Sequence, residues 1–336
     1  MSEHIVEILN MNEVSENGES QLISNIDGIG LEPGLLEVQV DTISQPTEFS
    51  QEIPNTFKNR FIEQTDKPCK SLLLESEFTD VHSQMIKDIS FELTAGLTCD
   101  KEKVKVIFNW TKNKIKYQVG LNKDNASRTI VKGFGSCLNK ANVLVSLLRS
   151  SGFNSGFSVM RVKTKEYFGP LGFKRFYHLV SDESNHVYAQ VFLNGKWIKL
   201  DATDDLELSL STMHLEQQGE PVVFDGVNHA CLNLDKDHIV KDNGDIKQNL
   251  DFVFNKRQKV PTFVINIFNI CMSYVRLNGK YCKNVDEIEK LCFNYLKQNH
   301  PSEFAMLQMM ENEKLNQVVN RVYSVSRLFK LKGLKL

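Results

Sequence analysis

The sequence predicts an α+β fold in which a cysteine-bearing helix packs on an antiparallel β-sheet, with a helical C-terminal extension. Three observations support this prediction. Apolar residues follow a helical period up to about residue 150, an alternating strand pattern surrounds a two-residue turn near residue 194, and helical periodicity returns after about residue 260. A block of helices followed by a strand-rich block is typical of α+β domains.

Three regions are expected along the chain: an acidic N-terminal arm at 1–60, a core region at 61–215 and a mostly helical region at 216–336. The arm holds eleven acidic residues and has no lysine or arginine before Lys58. Such segments are typical of partly disordered or surface-lying extensions, and a docking or lid role is the alternative.

The composition narrows the class of protein. The chain has 336 residues, a net charge of −2 and seven cysteines, with no CxxC pair. We therefore expect reduced thiols in a cytoplasmic protein, without a disulfide framework or a zinc ribbon. The first residues show neither a basic start nor a continuous apolar stretch, so no signal peptide is expected. The most apolar stretch, 262–275, is expected to be too short for a membrane span. Balanced charge speaks against nucleic-acid binding, and no cofactor or metal site is predicted.

Two helices are predicted in the first half of the core region. In 100–117, Val104, Ile107, Phe108 and Ile115 share one helical face. The second helix lies in the stretch GFGSCLNKANVLVSLLRSSGF, 133–153, where an apolar stripe follows Cys137.

The cysteine of this second helix has a favourable position for chemistry. Ser136 is the expected N-cap and Gly152 the expected C-cap, while Gly133 and Gly135 let the incoming chain turn tightly. Cys137 then lies in the first helical turn, where unpaired N–H groups stabilise a thiolate and a developing oxyanion. A buried core thiol is the alternative.

A β-hairpin is predicted in NHVYAQVFLNGKWIKLDATDD, 185–205. Asn194-Gly195 is a strong signal for a two-residue type I′ turn. The register then pairs Leu193 with Lys196 and places His186 and Asp201 on one face as diagonal neighbours, roughly 7 Å or less between Cβ atoms. An Asp carboxylate can reach an imidazole nitrogen across that gap.

Cys137, His186 and Asp201 together fit one mechanism. His186 would take the thiol proton, and Asp201 would fix the tautomer of the ring and stabilise its charge. The alternative is a solvent-facing polar hairpin with Cys137 independently buried. His178 is a rival candidate for the base, but it has no predicted carboxylate partner. A metal site is not predicted from His229, Cys231 and His238, because their spacing does not match known metal-ligand patterns.

These residues resemble a known family. GFGSCLNKANVLVSLLRSSGF followed by HVYAQVFLNGKWIKLDAT is similar to the core of the transglutaminase-like superfamily, whose members run G-x-C, a helix ending Leu-Leu-Arg-x-x-Gly, a strand-start histidine and W-x-x-x-D. The resemblance spans roughly 80–206. It implies a papain-like α+β fold with Cys137 as nucleophile, His186 as base and Asp201 as orienting acid. The usual His-Ala-Trp is His186-Val187-Tyr188 here, and the usual proline after the aspartate is Ala202.

The resemblance also implies an acyl-thioester route with an acyl donor and an amine acceptor. We expect release by an amine, giving transamidation or condensation from a peptide, protein or carrier-bound thioester. Hydrolysis by a cysteine peptidase, amidase or deamidase is one alternative, and an inactive peptide- or carrier-binding module is another. Candidates for the second oxyanion donor are Trp110, Tyr117 and Gln118.

Two further segments are candidates for substrate or partner contacts. The insertion FGPLGFKRFYH, 168–178, is an expected lid over the acyl site. The last sixteen residues carry five basic residues and no acidic one. This tail is expected to lie on the domain as a terminal helix or to contact an acidic protein partner.

Overall fold

The computed structural model describes residues 67–120, 123–167, 181–215, 220–232, 236–255, 260 and 262–311. The predictions for the acidic arm, for His178 and its insertion, and for the basic tail fall outside these residues.

Ten helices and six strands are assigned in this part of the chain, besides short 3₁₀ turns. The helices are α1 Gln84–Thr94, α2 Asp100–Lys114, α3 Ala126–Lys132, α4 Cys137–Ser150, α5 Thr164–Tyr167, α6 Leu206–Thr212, α7 Asp251–Phe254, α8 Thr262–Asn278, α9 Val285–Asn299 and α10 Pro301–Glu311. The strands are β1 Lys116–Tyr117, β2 Phe134–Gly135, β3 Ser155–Lys163, β4 Glu183–Leu193, β5 Lys196–Leu200 and β6 Ile239–Asp242.

The apolar face predicted for α2 is buried as expected. Val104, Ile107 and Phe108 are each fully buried. Ile115 is equally buried, but it lies one residue beyond the end of the helix, where the chain enters β1. The predicted face therefore covers both the helix and its exit into the first strand.

The cysteine helix α4 begins and ends close to the predicted caps. Ser136 is the N-cap; at the other end the cap is Ser151, and Gly152 follows it in a left-handed conformation with φ 85°. Gly133, with φ 71°, ends α3 in the same conformation. Gly135 is needed for another reason, because a Cβ atom there would lie 2.6 Å from the Asn139 Cβ. Its missing side chain lets β2 run close against the first turn of α4.

The strands form two sheets. A four-stranded antiparallel sheet has the order β5-β4-β3-β6, and β1 pairs with β2 in a short parallel ladder directly before Cys137. The predicted hairpin register is confirmed: Leu193 pairs with Lys196 and Phe192 with Trp197. The turn residues Asn194 and Gly195 both have positive φ, as a type I′ turn requires.

The hairpin departs from the expected ladder at its open end. The predicted pairs beyond Ala189 and Leu200, which would include His186 with Thr203, are not part of the β4–β5 pairing. The Asp201 N–H instead donates to the Ala230 carbonyl at 2.7 Å. Asp201 therefore lies one residue beyond the end of the β4–β5 ladder and pairs with the segment at Ala230.

Two large apolar cores stabilise these elements, beside a small cluster of Met160, Val162 and Tyr188. The larger one lies where α4 packs against β3 and β4, with α1, α2 and α3 around the same helix. The second lies between α8, α9 and α10 and includes Cys271, Cys292 and Leu296. Tyr117 and Leu208, from the region predicted as the core, also pack into this second cluster. The C-terminal helices are therefore joined to the strand that precedes the cysteine.

The α+β fold class is confirmed: the cysteine helix lies on an antiparallel sheet, and the region after it is helical. Within the described residues, every helix falls short of the length and apolar character that crossing a bilayer requires.

Candidate active site

Cys137 is the first residue of α4, and its side chain is half-buried. The Asn139 side-chain oxygen accepts hydrogen bonds from the Ser136 N–H at 3.3 Å and the Ser136 hydroxyl at 2.8 Å. This arrangement fixes the turn that carries the thiol. The positive end of the helix macrodipole lies at Cys137 and favours a negative charge there.

His186 and Asp201 form a buried pair beside this thiol. The His186 Nε2 lies 2.6 Å from the Asp201 Oδ2, and the two residues are 2% and 1% exposed. Burial alone would lower the pKa of His186, but the Asp201 charge and hydrogen bond outweigh it and hold the pKa well above its usual value, with a contribution from Cys137. Burial would raise the pKa of Asp201, yet His186 keeps it below its usual value. Asp201 is therefore a carboxylate at neutral pH.

The remaining contacts of Asp201 fix the tautomer of the histidine ring. Its Oδ1 accepts the Thr203 N–H at 3.1 Å, which leaves Oδ2 for His186. A carboxylate can only accept, so the Nε2 of His186 carries a proton, and Nδ1 is the nitrogen that gains or loses the second proton. Cys137 is also a hydrogen-bonding partner of the His186 ring. The structure thus places all three predicted side chains together.

Tyr167, at the end of α5, is a further residue of this site that the sequence analysis missed. Its hydroxyl lies 3.0 Å from the His186 Nδ1, and the two ring centroids are 5.0 Å apart. Burial raises the pKa of Tyr167 well above its usual value, and nearby negative charges, including those of Asp204 and Cys137, raise it further. The phenol therefore remains protonated.

Of the three candidate oxyanion donors, Tyr117 has the best position. It lies on β1 and pairs with Gly135 of β2, and Gly135 is two residues before Cys137. Burial raises the pKa of Tyr117 well above its usual value, and the charges of Cys137, Asp204 and Asp201 raise it further, so the phenol stays protonated. Trp110 packs against the larger core from α2. For Gln118, the contact described is the backbone hydrogen bond from its N–H to the Gly135 carbonyl at 3.0 Å.

A buried ion pair fixes the backbone of Tyr117. Asp205 accepts the Tyr117 N–H at 3.0 Å, and Arg276 of α8 donates to the Tyr117 carbonyl at 2.8 Å. Arg276 also binds Asp205 through Nε and Nη2, at 3.1 and 3.0 Å. Burial would raise the pKa of Asp205, but Arg276 outweighs it and keeps it below the usual value. A side chain from the C-terminal region therefore positions β1 beside the cysteine.

Lys140, one turn after Cys137, binds the backbone of the chain just before β1. Its side chain is fully buried, and its Nζ donates to the Lys112 carbonyl at 2.9 Å and also to the Ile115 carbonyl. Burial lowers the pKa of Lys140 to about 7. The ammonium group caps the C-terminal end of α2, where the helix dipole favours a positive charge.

The rival histidines lie apart from this arrangement. His229 is exposed, and its Nδ1 accepts the Lys199 N–H at 3.1 Å. His238 lies at the end of a 3₁₀ turn ahead of β6. Over the described ranges, the histidine, cysteine and carboxylate side chains do not come together in a group that could hold a metal ion.

Asp204 is a carboxylate beside the triad that the sequence analysis also left out. Burial, followed by the charges of Asp201 and Asp205, raises the pKa of Asp204 to about 6. A carboxyl group with a raised pKa stabilises the fold at low pH and loses that contribution as the pH rises through about 6.

We therefore expect Asp204→Asn to raise the melting temperature by a few degrees at pH 7.5 and to leave it unchanged at pH 4. Asp242→Asn is the matched control with the opposite sign. Burial would raise the pKa of Asp242, but its partners Lys199 and Tyr188 lower it, so that variant should melt earlier at pH 7.5. The measurement is the melting temperature of each variant at both pH values. A lower melting temperature of Asp204→Asn than of the wild type at pH 7.5 would contradict the expectation.

A family model of known proteins matches part of the chain. Residues 87–202 match the family model of the transglutaminase-like superfamily. The chain thus contains a transglutaminase-like domain, and this segment includes Cys137, Tyr167, His186 and Asp201. Asp205 and Arg276 lie outside it. No curated protein matches the chain.

Two solved structures are similar to part of the chain. One is a provisionally named cysteine protease from Cytophaga hutchinsonii, 18% identical, with a TM-score of 0.32 and coverage of 45% of each chain. The other is a provisionally named protease from Parabacteroides distasonis, 16% identical, with a TM-score of 0.29, covering 40% of this chain. The present chain spans 45% and 26% of the lengths of these two proteins.

Proposed function

We propose that this protein is a cysteine-dependent acyltransferase that forms an acyl-thioester on Cys137 and releases the acyl group to an amine, making an amide bond. The observation that carries the proposal is the buried contact of 2.6 Å between His186 and Asp201 next to a thiol at a helix N-terminus. The donor would be a peptide, a protein or a carrier-bound thioester.

In the first half-reaction, the His186 Nδ1 takes the proton of the Cys137 thiol, and the thiolate attacks the donor carbonyl. Backbone N–H groups at the start of α4 and the Tyr117 hydroxyl would hold the oxyanion of the tetrahedral intermediate. The intermediate collapses when the bond to the leaving group breaks. The leaving group takes the proton from Nδ1, and the acyl group stays on the Cys137 sulfur.

In the second half-reaction, the acceptor amine attacks the thioester carbonyl and gives a proton to the His186 Nδ1. Collapse of the second intermediate breaks the bond to sulfur, and Cys137 recovers its proton from the imidazolium. Water in place of the amine would give a carboxylic acid, so the same residues can also support hydrolysis. The outcome depends on how well the site excludes water.

The proposal is tested by incubating the protein with a small acyl thioester and measuring its intact mass. We expect one acyl group per chain, located on Cys137 by peptide mapping and absent in Cys137→Ala. Cys231→Ala is the matched control, because Cys231 is also half-buried and burial raises its pKa to about 12. This control should acylate like the wild type.

The reaction is then followed with increasing concentrations of a small primary amine. Growth of the amide product at the expense of free acid would support transfer. Free acid alone at every amine concentration would make the protein a hydrolase. Failure of Cys137 to acylate with any thioester would favour an inactive binding module.

A further inference from the structure

Asp204 lies in the loop after β5, between two aspartates that already have partners. Asp201 accepts a hydrogen bond from the His186 Nε2 at 2.6 Å, and Asp205 accepts one from the Tyr117 N–H at 3.0 Å. This short segment therefore runs from the catalytic base to the strand that carries the candidate oxyanion donor. Asp204 stands on the segment between these two contacts.

The charged groups around Asp204 are engaged elsewhere. Asp205 pairs with Arg276 at 3.0 Å, and the buried ammonium group of Lys140 donates to backbone carbonyls. Lys112 likewise donates to a backbone carbonyl, at 2.6 Å. Within the described part of the chain, no hydrogen bond or ion pair reaches the Asp204 side chain, although this residue is partly exposed. A ligand can therefore reach the carboxylate and supply a partner.

Asp204 lowers the stability of the fold at neutral pH. Burial, followed by the charges of Asp201 and Asp205, raises the pKa of Asp204 to about 6, so the group is ionised at pH 7.5. A partly buried charge that lacks a hydrogen-bonded partner is costly. A group that lowers stability and lies beside a catalytic base is a candidate for a functional role.

We propose that Asp204 determines specificity by binding a positively charged group, an ammonium or a guanidinium, on a substrate of the Cys137 reaction. This inference rests on the proposed function and adds the chemistry of the substrate to it. A charged nitrogen that donates to Asp204 would offset the repulsion from Asp201 and Asp205. The bound cation is not the attacking nitrogen of an acceptor, because a protonated amine has no lone pair with which to attack.

Two tyrosines of the site suit the same ligand. The charge of Asp204 acts on the phenols of Tyr117 and Tyr167, and burial keeps both of them protonated. The face of a tyrosine ring attracts a cation, and a carboxylate adds a charge-assisted hydrogen bond. A neutral group of the same size would leave the carboxylate without a partner. We therefore expect the site to discriminate between the two.

The pH dependence of this discrimination follows from the ionisation of Asp204. Below about pH 6 the carboxyl group is protonated and can no longer pair with a cation. Besides Asp201 and Asp205 of its own loop, the titratable groups that interact with Asp204 are Lys112 of α2, Tyr117 of β1, Lys140 of α4, Tyr167 of α5 and His186 of β4. Because these groups act equally on two substrates that differ only in charge, the ratio of the two rates reports on Asp204.

The test uses two matched pairs of probes at pH 7.5. The donor pair is the benzyl thioesters of acetyl-arginine and acetyl-citrulline, whose side chains differ by the charge of the guanidinium. The acceptor pair is cadaverine and n-pentylamine, with the citrulline thioester as donor. For one of the pairs, kcat/KM of the wild type should be about 10-fold higher for the probe with the additional charge, as one charge-assisted hydrogen bond requires. In Asp204→Asn this ratio should fall close to one.

Two variants and a second pH serve as controls. Asp242→Asn also removes a carboxylate, but one that pairs with Lys199 at 2.6 Å, so it should keep the ratio of the wild type. Asp204→Glu keeps the charge and should keep most of the preference. Thermal melts show that each variant is folded. In the wild type, the ratio should fall toward one between pH 7.5 and pH 5.

Each outcome has one meaning. A preference within the donor pair that Asp204→Asn removes would place the cation on the acyl donor, and the same result within the acceptor pair would place it on the amine. A ratio near one for both pairs in the wild type, or an unchanged ratio in Asp204→Asn, would overturn the inference. Acylation of Cys137 by the citrulline thioester would then leave the proposed function standing. A wild type that is acylated by neither thioester would overturn both.

Discussion

Asp201→Asn is expected to lower the turnover of an acyl donor on the order of 10³ to 10⁴-fold while leaving the protein folded. The Thr203 N–H requires an acceptor at Oδ1, so an asparagine would place its oxygen there and its amide nitrogen toward His186. The His186 Nε2 would then have to accept a hydrogen bond, and Nδ1 would carry the proton. A ring in that tautomer cannot take a proton from Cys137.

The measurement is single-turnover acylation of Cys137 by a small thioester, followed by intact mass. Asp242→Asn serves as the comparison, because Asp242 is a carboxylate of β6 with Lys199 at 2.6 Å and has no contact with the triad. It should retain most of the acylation rate. A similar rate in Asp201→Asn and the wild type would show that Asp201 does not orient the ring during the reaction.

Arg276→Ala is expected to cost about 3 to 5 kcal/mol of the free energy of unfolding. The variant leaves the Asp205 carboxylate buried without its cation, and the Tyr117 carbonyl without its donor. Urea unfolding of the variant and the wild type measures this difference in the free energy of unfolding. Loss of acylation should accompany loss of stability, because β1 then has no fixed position beside Cys137.

Two variants sharpen this expectation. Arg161→Ala removes an arginine whose side chain is 59% exposed and pairs with Glu183, so it should cost less than about 1 kcal/mol. Asp205→Asn combined with Arg276→Met removes both charges and should recover part of the stability lost in Arg276→Ala. Equal costs for Arg276→Ala and Arg161→Ala would mean that the buried pair does not stabilise the fold.

The hairpin and the cysteine helix could be predicted because their signals are local. Asn194-Gly195 fixes the turn and the register as far as Ala189 and Leu200. His186 and Asp201, fifteen residues apart, are in contact as expected, although the ladder between the two strands stops short of both. The N-cap at Ser136 could be predicted from the sequence in the same way. The geometry of these parts depends on backbone preferences that neighbouring residues determine.

The rest of the site could not be predicted, for a different reason at each residue. Asp205 and Arg276 are 71 residues apart, and an arginine in an apolar helix gives no sign of its partner. Tyr167 reaches His186 from a four-residue helix that has no periodicity to read. Asp201, Asp204 and Asp205 lie close together in the sequence. The sequence alone does not show that each of them has different contacts.

Gly135 had been expected to permit a turn, and the structure gives it another purpose. The chain there is extended, and the absence of a side chain allows β2 to approach Asn139. A glycine in a sequence signals either freedom of the backbone or lack of space, and one sequence does not distinguish them.

Arg276 also bears on what counts as the smallest working piece of this protein. The segment that resembles the family ends at residue 202, yet the strand beside the cysteine is tied down by a guanidinium 74 positions later in the chain. A shortened version that kept only residues 87–202 would retain Cys137, His186 and Asp201 and lose Asp205 and Arg276, which hold the backbone of Tyr117. The folded unit that holds the site thus extends past residue 202 to the buried hydrogen bonds of Arg276. The match to the family model marks only part of that unit.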